Sequence, residues 1–155
     1  LENFIMGGLD DEAYANRTTI SYRRAGETAQ KQLGRFDVKY ASLNDPAGAL
    51  SGGNLQKAIV AREIYRSPEV LIAAQPSRGV DIGATMFIHK KLVEMRDAGK
   101  AVLLISSELS EIMSLSDRIL VMYNGSIVGE TTPQQSTEED IGLMIAGIAK
   151  EASRQ

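Results

Sequence analysis

Apolar residues recur along the middle of the chain at spacings that alternate between helices and short strands. The pattern over Ser51–Arg66 is apolar on most sides, which predicts a largely buried helix that stops at Pro68. The continuous apolar run Val70–Ala74 predicts a short strand covered on both faces. An amphipathic helix over Gly83–Ala98 and a second buried strand over Ala101–Ile105 follow. Strands that alternate with helices predict an α/β layered core with parallel central strands.

The regions on either side of this core have more polar patterns. Helical spacing with many charged and amide residues extends from about Ile20–Phe36, and turn residues over Leu43–Gly48 predict a loop. A short helix is predicted over Glu108–Leu115, with Ser107 as its cap.

The last third of the chain has a hairpin signal. Two apolar runs, Ile119–Tyr123 and Ser126–Glu130, flank the dipeptide Asn124-Gly125, which favours a two-residue hairpin turn. The stretch Thr137–Asp140 has the form of a capping box, with Asp in place of the usual Glu, and predicts the start of a final helix.

Composition narrows the classes of function. The 155 residues are 43% hydrophobic and 24% charged, an ordinary globular balance, and the net charge of −3 does not favour nucleic acid as a partner. The absence of cysteine excludes disulfides and thiolate metal sites, and the single His89 excludes a histidine cluster, so no metal site is predicted. The apolar runs are too short to span a bilayer, and Leu1 in place of Met favours a fragment of a longer protein.

The start of the central helix pattern has a composition suited to binding an anion. Leu50–Lys57 reads Leu-Ser-Gly-Gly-Asn-Leu-Gln-Lys. The first backbone N–H groups of a helix have no intrahelical partner and bind anions together with the helix dipole. Ser51 can cap the helix and offer its hydroxyl to an oxygen, while Gly52 and Gly53 let a ligand approach the backbone. A plain helix cap is the alternative interpretation of this stretch.

A second motif follows this helix. Val70–Asp81 reads Val-Leu-Ile-Ala-Ala-Gln-Pro-Ser-Arg-Gly-Val-Asp, a strand followed by a loop of turn residues. The two motifs in this order resemble the ATP-binding cassette of ABC transporters, and Leu50–Lys57 resembles the signature sequence of that family. The residues Asn54 and Gln56-Lys57 are similar to those of simple sugar and nucleoside importers. The ending Glu138–Gly147 resembles that of tandem-cassette subunits, which implies the second cassette of a pair.

The resemblance implies a fold and a division into two parts. The fold is a partial P-loop (RecA-like) ATPase core with parallel strands and a terminal hairpin, plus the helical subdomain of the family. Residues 1–66 would form the helical subdomain with the signature helix, and residues 67–155 the C-terminal part of the ATPase core. The phosphate-binding loop itself is absent, because Glu94 and Ala101 stand where its first Gly and its Ser or Thr would flank Gly99-Lys100. We therefore expect weak or no binding of ATP and Mg²⁺ by this chain alone.

The signature sequence of the family acts on a nucleotide bound elsewhere. It caps the γ-phosphate of ATP held by the opposite cassette of a head-to-tail dimer. The resemblance assigns that contact to Ser51, Gly52 and Gly53, with Asn54 and Gln56 beside them. The helix N-terminus would contribute about 0.3–1 kcal/mol toward an anion when exposed.

Three positions depart from the catalytic residues of the family. Ala74 replaces the Asp that holds magnesium through water, and Gln75 replaces the Glu that activates the attacking water. Ser107 occupies the position where the family places a His that touches the γ-phosphate. No catalytic residue is intact, and the half-site built on this cassette is expected to be inactive or very slow, so whether the chain is itself an enzyme stays open.

Asp81 has two interpretations. By resemblance it is the loop aspartate that communicates across the dimer. It is also a suitable cap for the helix that starts near Gly83, and the two roles are compatible.

The resemblance also implies partners and a location. They are a partner ATP-binding cassette and membrane permease subunits at the cytoplasmic face of the plasma membrane, with no nucleic acid. An exposed strand edge would make this chain self-associate. A non-transport ABC ATPase of DNA repair or translation is the alternative, although the Asn-x-Gln-Lys signature disfavours it. An interaction module without nucleotide chemistry is a third hypothesis.

Overall fold

The chain folds into helices and strands in the order that the apolar pattern predicts. The computed structural model describes residues 1–16 and 18–148. The elements are α1 (Glu2–Ile5), α2 (Tyr22–Arg35), α3 (Gly52–Tyr65), β1 (Val70–Ala74), α4 (Ile82–Asp97), β2 (Ala101–Ile105), α5 (Leu109–Leu115), β3 (Ile119–Tyr123), β4 (Ser126–Thr131) and α6 (Glu138–Ile145). The predicted elements form within about two residues of their expected bounds, the usual uncertainty at element ends. The short helix α1 was not predicted.

The chain divides into two compact units. The first spans Leu1–Leu103 and the second Leu104–Gln155. β1 and β2 form one two-stranded sheet and β3 and β4 another, so the α/β class with parallel strands and a small antiparallel hairpin is confirmed. The proposed functional division between residues 66 and 67 stays a prediction, and residues 149–155 lie outside the described part of the chain.

Helices make up most of the core of the first unit. α3 packs against α1, α2 and α4. From Asn54 to Tyr65 every residue of α3 is buried or half-buried, as the all-round apolar pattern predicts. One aromatic pair lies at the α1–α3 contact, where the ring centroids of Phe4 and Tyr65 are 5.8 Å apart. A second pair joins Phe36, at the end of α2, to Phe87 of α4 at 5.9 Å.

One face of the first sheet is exposed, which corrects the prediction that its strands are covered on both faces. Leu71 and Ala73 are buried, whereas Val70 is 60% exposed and Ile72 is 65% exposed. Leu103 of β2 is 50% exposed. A continuous apolar run indicates two covered faces only if the chain supplies a layer for each, and among the described residues only one face of β1 is covered.

We expect the isolated 155-residue chain to associate with itself at high concentration, because it exposes this apolar face and the edges of a two-stranded sheet. Ile72→Lys should shift the equilibrium toward monomer, since a charge then lies on the face. Light scattering over a range of concentrations measures the effect, with Gln30→Lys on the exposed side of α2 as the control. A clean monomer at high concentration for the unsubstituted chain would contradict this expectation.

The second unit is built around the predicted hairpin. Tyr123 pairs with Ser126, and both turn residues have positive φ, 46° at Asn124 and 75° at Gly125. These angles fit the type I′ turn that Asn-Gly favours. The core of this unit consists of Ile119, Val121 and Ile141 with half-buried side chains from α5 and α6.

The predicted capping box opens α6. The Thr137 hydroxyl accepts from the Asp140 backbone N–H at 3.1 Å, and the Asp140 carboxylate accepts from the Thr137 backbone N–H at 3.0 Å. Asp therefore completes the box in place of the usual Glu, as the sequence predicts.

Candidate functional site

The turn that opens α3 is the candidate site, and Ser51 is its N-cap as predicted. Ser51 has extended backbone angles, φ −62° and ψ 155°. Its Oγ accepts a hydrogen bond from the Asn54 backbone N–H at 3.4 Å and from Asn54 Nδ2 at 2.9 Å. The first of these bonds satisfies one of the backbone donors that a helix start leaves unpaired.

Asn54 joins this turn to the segment after α2. The Lys39 backbone N–H donates to Asn54 Oδ1 at 2.7 Å. Lys39 lies just beyond Val38 and Phe36, both buried, so the segment that supplies this N–H is itself packed into the core of the unit. The amide of Asn54 thereby connects the cap residue to a fixed part of the first unit.

The second motif packs directly against the first. A Cβ placed on Gly53 would lie 3.0 Å from Asp81 Oδ2 and 3.2 Å from the Ala84 Cβ. A Cβ on Gly52 would lie 3.4 Å from the Gly79 carbonyl oxygen, an ordinary contact. A side chain at position 53 would therefore crowd Asp81 and Ala84 within the chain itself, in addition to obstructing any approach by a ligand.

Asp81 caps α4, as one of its two interpretations predicts. Its Oδ1 accepts from the Ala84 backbone N–H at 2.9 Å, and its backbone has extended angles. The same carboxylate lies against Gly53 of the signature turn, so the structure brings Gly53 and Asp81 together although they are distant in the sequence. A role of Asp81 across a dimer stays a prediction.

Solvent reaches only part of the turn. Ser51 and Gly52 are exposed, Gly53 is buried, and Asn54 and Gln56 are half-buried. A ligand can therefore approach from the side of Ser51 and Gly52, while the side of Gly53 is closed by Asp81 and Ala84. This arrangement fits an oxygen-rich anion at the helix start, because an exposed hydroxyl and the first backbone N–H groups are donors.

The two lysines beside the turn are engaged by one aspartate. Lys39 Nζ lies 2.6 Å from Asp37 Oδ1, and Lys57 Nζ lies 3.8 Å from Asp37 Oδ2. The hydrogen bond and charge of Lys39, with a smaller contribution from Lys57, hold the pKa of Asp37 below its usual value. Lys57 Nζ also lies 4.9 Å from the ring centroid of Phe87. Asp37 therefore partly neutralises the positive charge of the two lysines beside the turn.

The end of β1 offers no catalytic carboxylate. Ala74 is exposed and presents only a methyl group. Gln75 is half-buried with φ 51°, a left-handed backbone that residues other than glycine rarely adopt, and it begins the turn that leads to Asp81. An amide can orient a water molecule but cannot accept its proton at neutral pH, so neither residue can act as a general base, and the methyl group of Ala74 offers no ligand to magnesium.

Ser107 lies in the second unit and is exposed. Its predicted role as the cap of α5 is wrong, because Glu108 is the N-cap and the Glu108 backbone N–H donates to Ser106 Oγ at 3.0 Å. The apolar pattern located the helix, whereas the choice among adjacent Ser and Glu residues depended on the local backbone.

Two further findings concern the part of the chain that the structure describes. It contains no group of three or more His, Cys, Asp or Glu residues placed to hold a metal ion. None of its helices is long and apolar enough to cross a bilayer.

Two curated proteins are similar to this chain over most of its length. The guanosine import ATP-binding protein NupO of Bacillus subtilis is 47% identical over 154 residues, which are 99% of this chain and 30% of NupO. The nucleoside import ATP-binding protein NupA of Lactococcus lactis is 47% identical over 128 residues, which are 83% of this chain and 25% of NupA. The chain belongs to the ATP-binding cassette family of ABC transporters. No protein-family model matches.

A solved ABC transporter cassette has the same fold. The dimeric structure of a bacterial ABC transporter cassette matches with a TM-score of 0.63 and 22% identity, over 77% of this chain and 51% of that chain. At this identity the likeness supports the fold alone. The chain spans about a third or less of the length of the two curated relatives.

The contacts of Asn54 and Gly53 are the site features that sequence reasoning did not identify. The signature motif places both residues at the start of α3, but their partners Lys39, Asp81 and Ala84 are distant in sequence. Asn54 is a helix-start amide that was expected beside the phosphate. No local pattern predicts that Oδ1 and Nδ2 of Asn54 both form hydrogen bonds within the chain.

Proposed function

We propose that this chain supplies the signature turn of one cassette to ATP held by a partner cassette of a nucleoside or sugar importer. The observation that carries the proposal is the exposed start of α3, where Ser51 and Gly52 face solvent and Asp81 closes the opposite side. A helix start with a free hydroxyl is suited to the terminal phosphate of a nucleotide that arrives on another surface. The identity to import ATP-binding proteins supports this assignment.

We further propose that the half-site built on this cassette does not hydrolyse ATP. Ala74 and Gln75 leave the end of β1 without the carboxylates that hold magnesium and activate water, and Ser107 offers no cation. The complete protein would use ATP and Mg²⁺, and its partner cassette would hold both. The residues of this chain would bind and orient the phosphate and would not transfer a proton.

The remaining assignments follow from the same family membership. The partners would be a second cassette and membrane permease subunits, at the cytoplasmic face of the plasma membrane. The chain would belong to the second cassette of a tandem protein, which agrees with its small share of the relatives' length. Nucleosides are favoured over simple sugars as the transported solute, because both reported relatives are named for guanosine or nucleoside import.

Gln75→Asn in the complete ABC protein is expected to leave ATP hydrolysis within about twofold of the unsubstituted rate, because the proposal assigns Gln75 no step. Asparagine keeps an amide and tolerates the left-handed backbone at this position. Steady-state phosphate release measures the effect, and Ser51→Ala is the comparison that should lower it. A roughly tenfold or larger loss in Gln75→Asn would show that the half-site is active and would contradict the proposal.

A further inference from the structure

The orientation of the Asn54 side chain is determined by one backbone group. The Lys39 N–H, which can only donate, lies 2.7 Å from the side-chain atom assigned as Oδ1. That atom must therefore be the oxygen, and the other end of the amide must be the NH₂ group. Since Nδ2 lies 2.9 Å from Ser51 Oγ, the bond between the two side chains has Asn54 as donor.

This donor changes what the Ser51 hydroxyl can do. A serine hydroxyl has two acceptor lone pairs and one proton to donate. Both lone pairs of Ser51 Oγ face donors of Asn54, Nδ2 at 2.9 Å and the backbone N–H at 3.4 Å. Within the described residues Ser51 Oγ donates no hydrogen bond, and its side is exposed. The hydroxyl proton is therefore directed to an acceptor that arrives from outside the chain.

We infer that Asn54 is a positioning residue that makes Ser51 a donor to an oxygen of the phosphate bound by the partner cassette. This inference rests on the proposed function and deepens it. Oδ1 of Asn54 bonds Lys39 and one N–H of Nδ2 bonds Ser51, so the contacts of its amide within the chain serve to orient the Ser51 hydroxyl. Asn54 then acts on the nucleotide through Ser51.

The same geometry decides the class of group that Ser51 accepts. A magnesium ion needs a lone pair, and those of Ser51 Oγ are used by Asn54. A deprotonated phosphate oxygen needs a donor, which the free hydroxyl proton supplies. The turn therefore selects an anionic oxygen over a metal ion, whichever nucleotide carries that oxygen.

The test is a double-substitution cycle in the complete ABC protein assembled with its partner cassette. Steady-state ATP hydrolysis is measured for Ser51→Ala, Asn54→Ala and the double variant, with Gln30→Ala on the exposed side of α2 as the control. Ser51→Ala is expected to lower kcat by about tenfold to a hundredfold, because a hydrogen bond to a charged oxygen is lost. Asn54→Ala should lower kcat by several-fold, and the double variant should match Ser51→Ala within about twofold. KM for ATP should change little in all of them, because the partner holds the nucleotide.

The Asn54→Asp variant distinguishes a role of Asn54 in positioning the Ser51 hydroxyl from a role in folding. A carboxylate keeps the bond to the Lys39 N–H but turns the Ser51 hydroxyl toward itself, so kcat should fall at least as far as in Ser51→Ala. Lowering the pH toward the carboxyl pKa should recover part of this loss relative to the unsubstituted protein, since the protonated acid again has a proton to donate to Ser51 Oγ. A role confined to folding would show no such recovery.

The outcomes distinguish the inference from the function on which it rests. Unchanged hydrolysis in Ser51→Ala would contradict the proposed function itself. A loss in Ser51→Ala together with an equal further loss on adding Asn54→Ala would show that Asn54 acts independently of Ser51, and would overturn the inference alone. Full activity of Asn54→Asp at neutral pH would also overturn it.

Discussion

Replacing Ser51 by phenylalanine is expected to lower ATP hydrolysis by the assembled cassettes at least about a hundredfold, the loss typical for removing a donor to transition-state charge. The substitution removes the hydroxyl that faces solvent and places a ring over the exposed side of the turn. A phosphate on the partner's surface could then no longer reach the first N–H groups of α3. Phosphate release by the complete ABC protein measures the effect.

The fold should tolerate this change, because an exposed N-cap contributes about 1 kcal/mol and the ring points into solvent. Ser126→Phe, at the exposed start of β4, is the matched control and should leave hydrolysis within about twofold. If Ser51→Phe hydrolyses ATP at the rate of this control, the signature turn does not act on a nucleotide and the proposed function fails.

Replacing Gly53 by valine is expected to lower the free energy of unfolding by about 1–3 kcal/mol, the usual cost of overpacking. A Cβ at this position would already lie 3.0 Å from Asp81 Oδ2 and 3.2 Å from the Ala84 Cβ, and valine adds two methyl groups. Asp81 cannot move away freely, because its carboxylate also caps α4. Urea unfolding of the 155-residue chain measures the change.

Gly26→Val is the matched control for this prediction. Gly26 lies within α2, and a Cβ at this position would have no neighbouring atom within 4 Å, so the same substitution there should change stability by no more than about 0.5 kcal/mol. Combining Gly53→Val with Asp81→Ala should cost less than the two single changes together, because the clash is partly relieved. Equal stability of Gly53→Val and Gly26→Val would show that the two motifs are not in firm contact.

The caps of three helices were predicted from the sequence because capping is local. A side-chain oxygen reaches a backbone N–H two or three residues away, so Ser51, Asp81 and Thr137 could be assigned by inspection. The same local reasoning gave an incorrect cap for α5, which was predicted to be Ser107. Adjacent Ser and Glu residues all suit a helix start, and the backbone angles placed Glu108 at the cap.

The burial of the first sheet was not predictable from the apolar run alone. Val70 and Ile72 have the composition of residues covered on both sides, yet the structure leaves their face open. An apolar run indicates that burying these side chains stabilises the fold, but it does not indicate which segment buries them.

The sequence by itself determined the order of elements, the hairpin turn at Asn124-Gly125, the family and the residues of the signature turn, because these depend on periodicity and on short motifs. Only the tertiary structure decided which donors meet which acceptors across the first unit. The Lys39 N–H orients the amide of Asn54, and Asp81 closes one side of Gly53. Such contacts join residues that are distant in the chain, and their geometry is set by packing around α3, which no local pattern records.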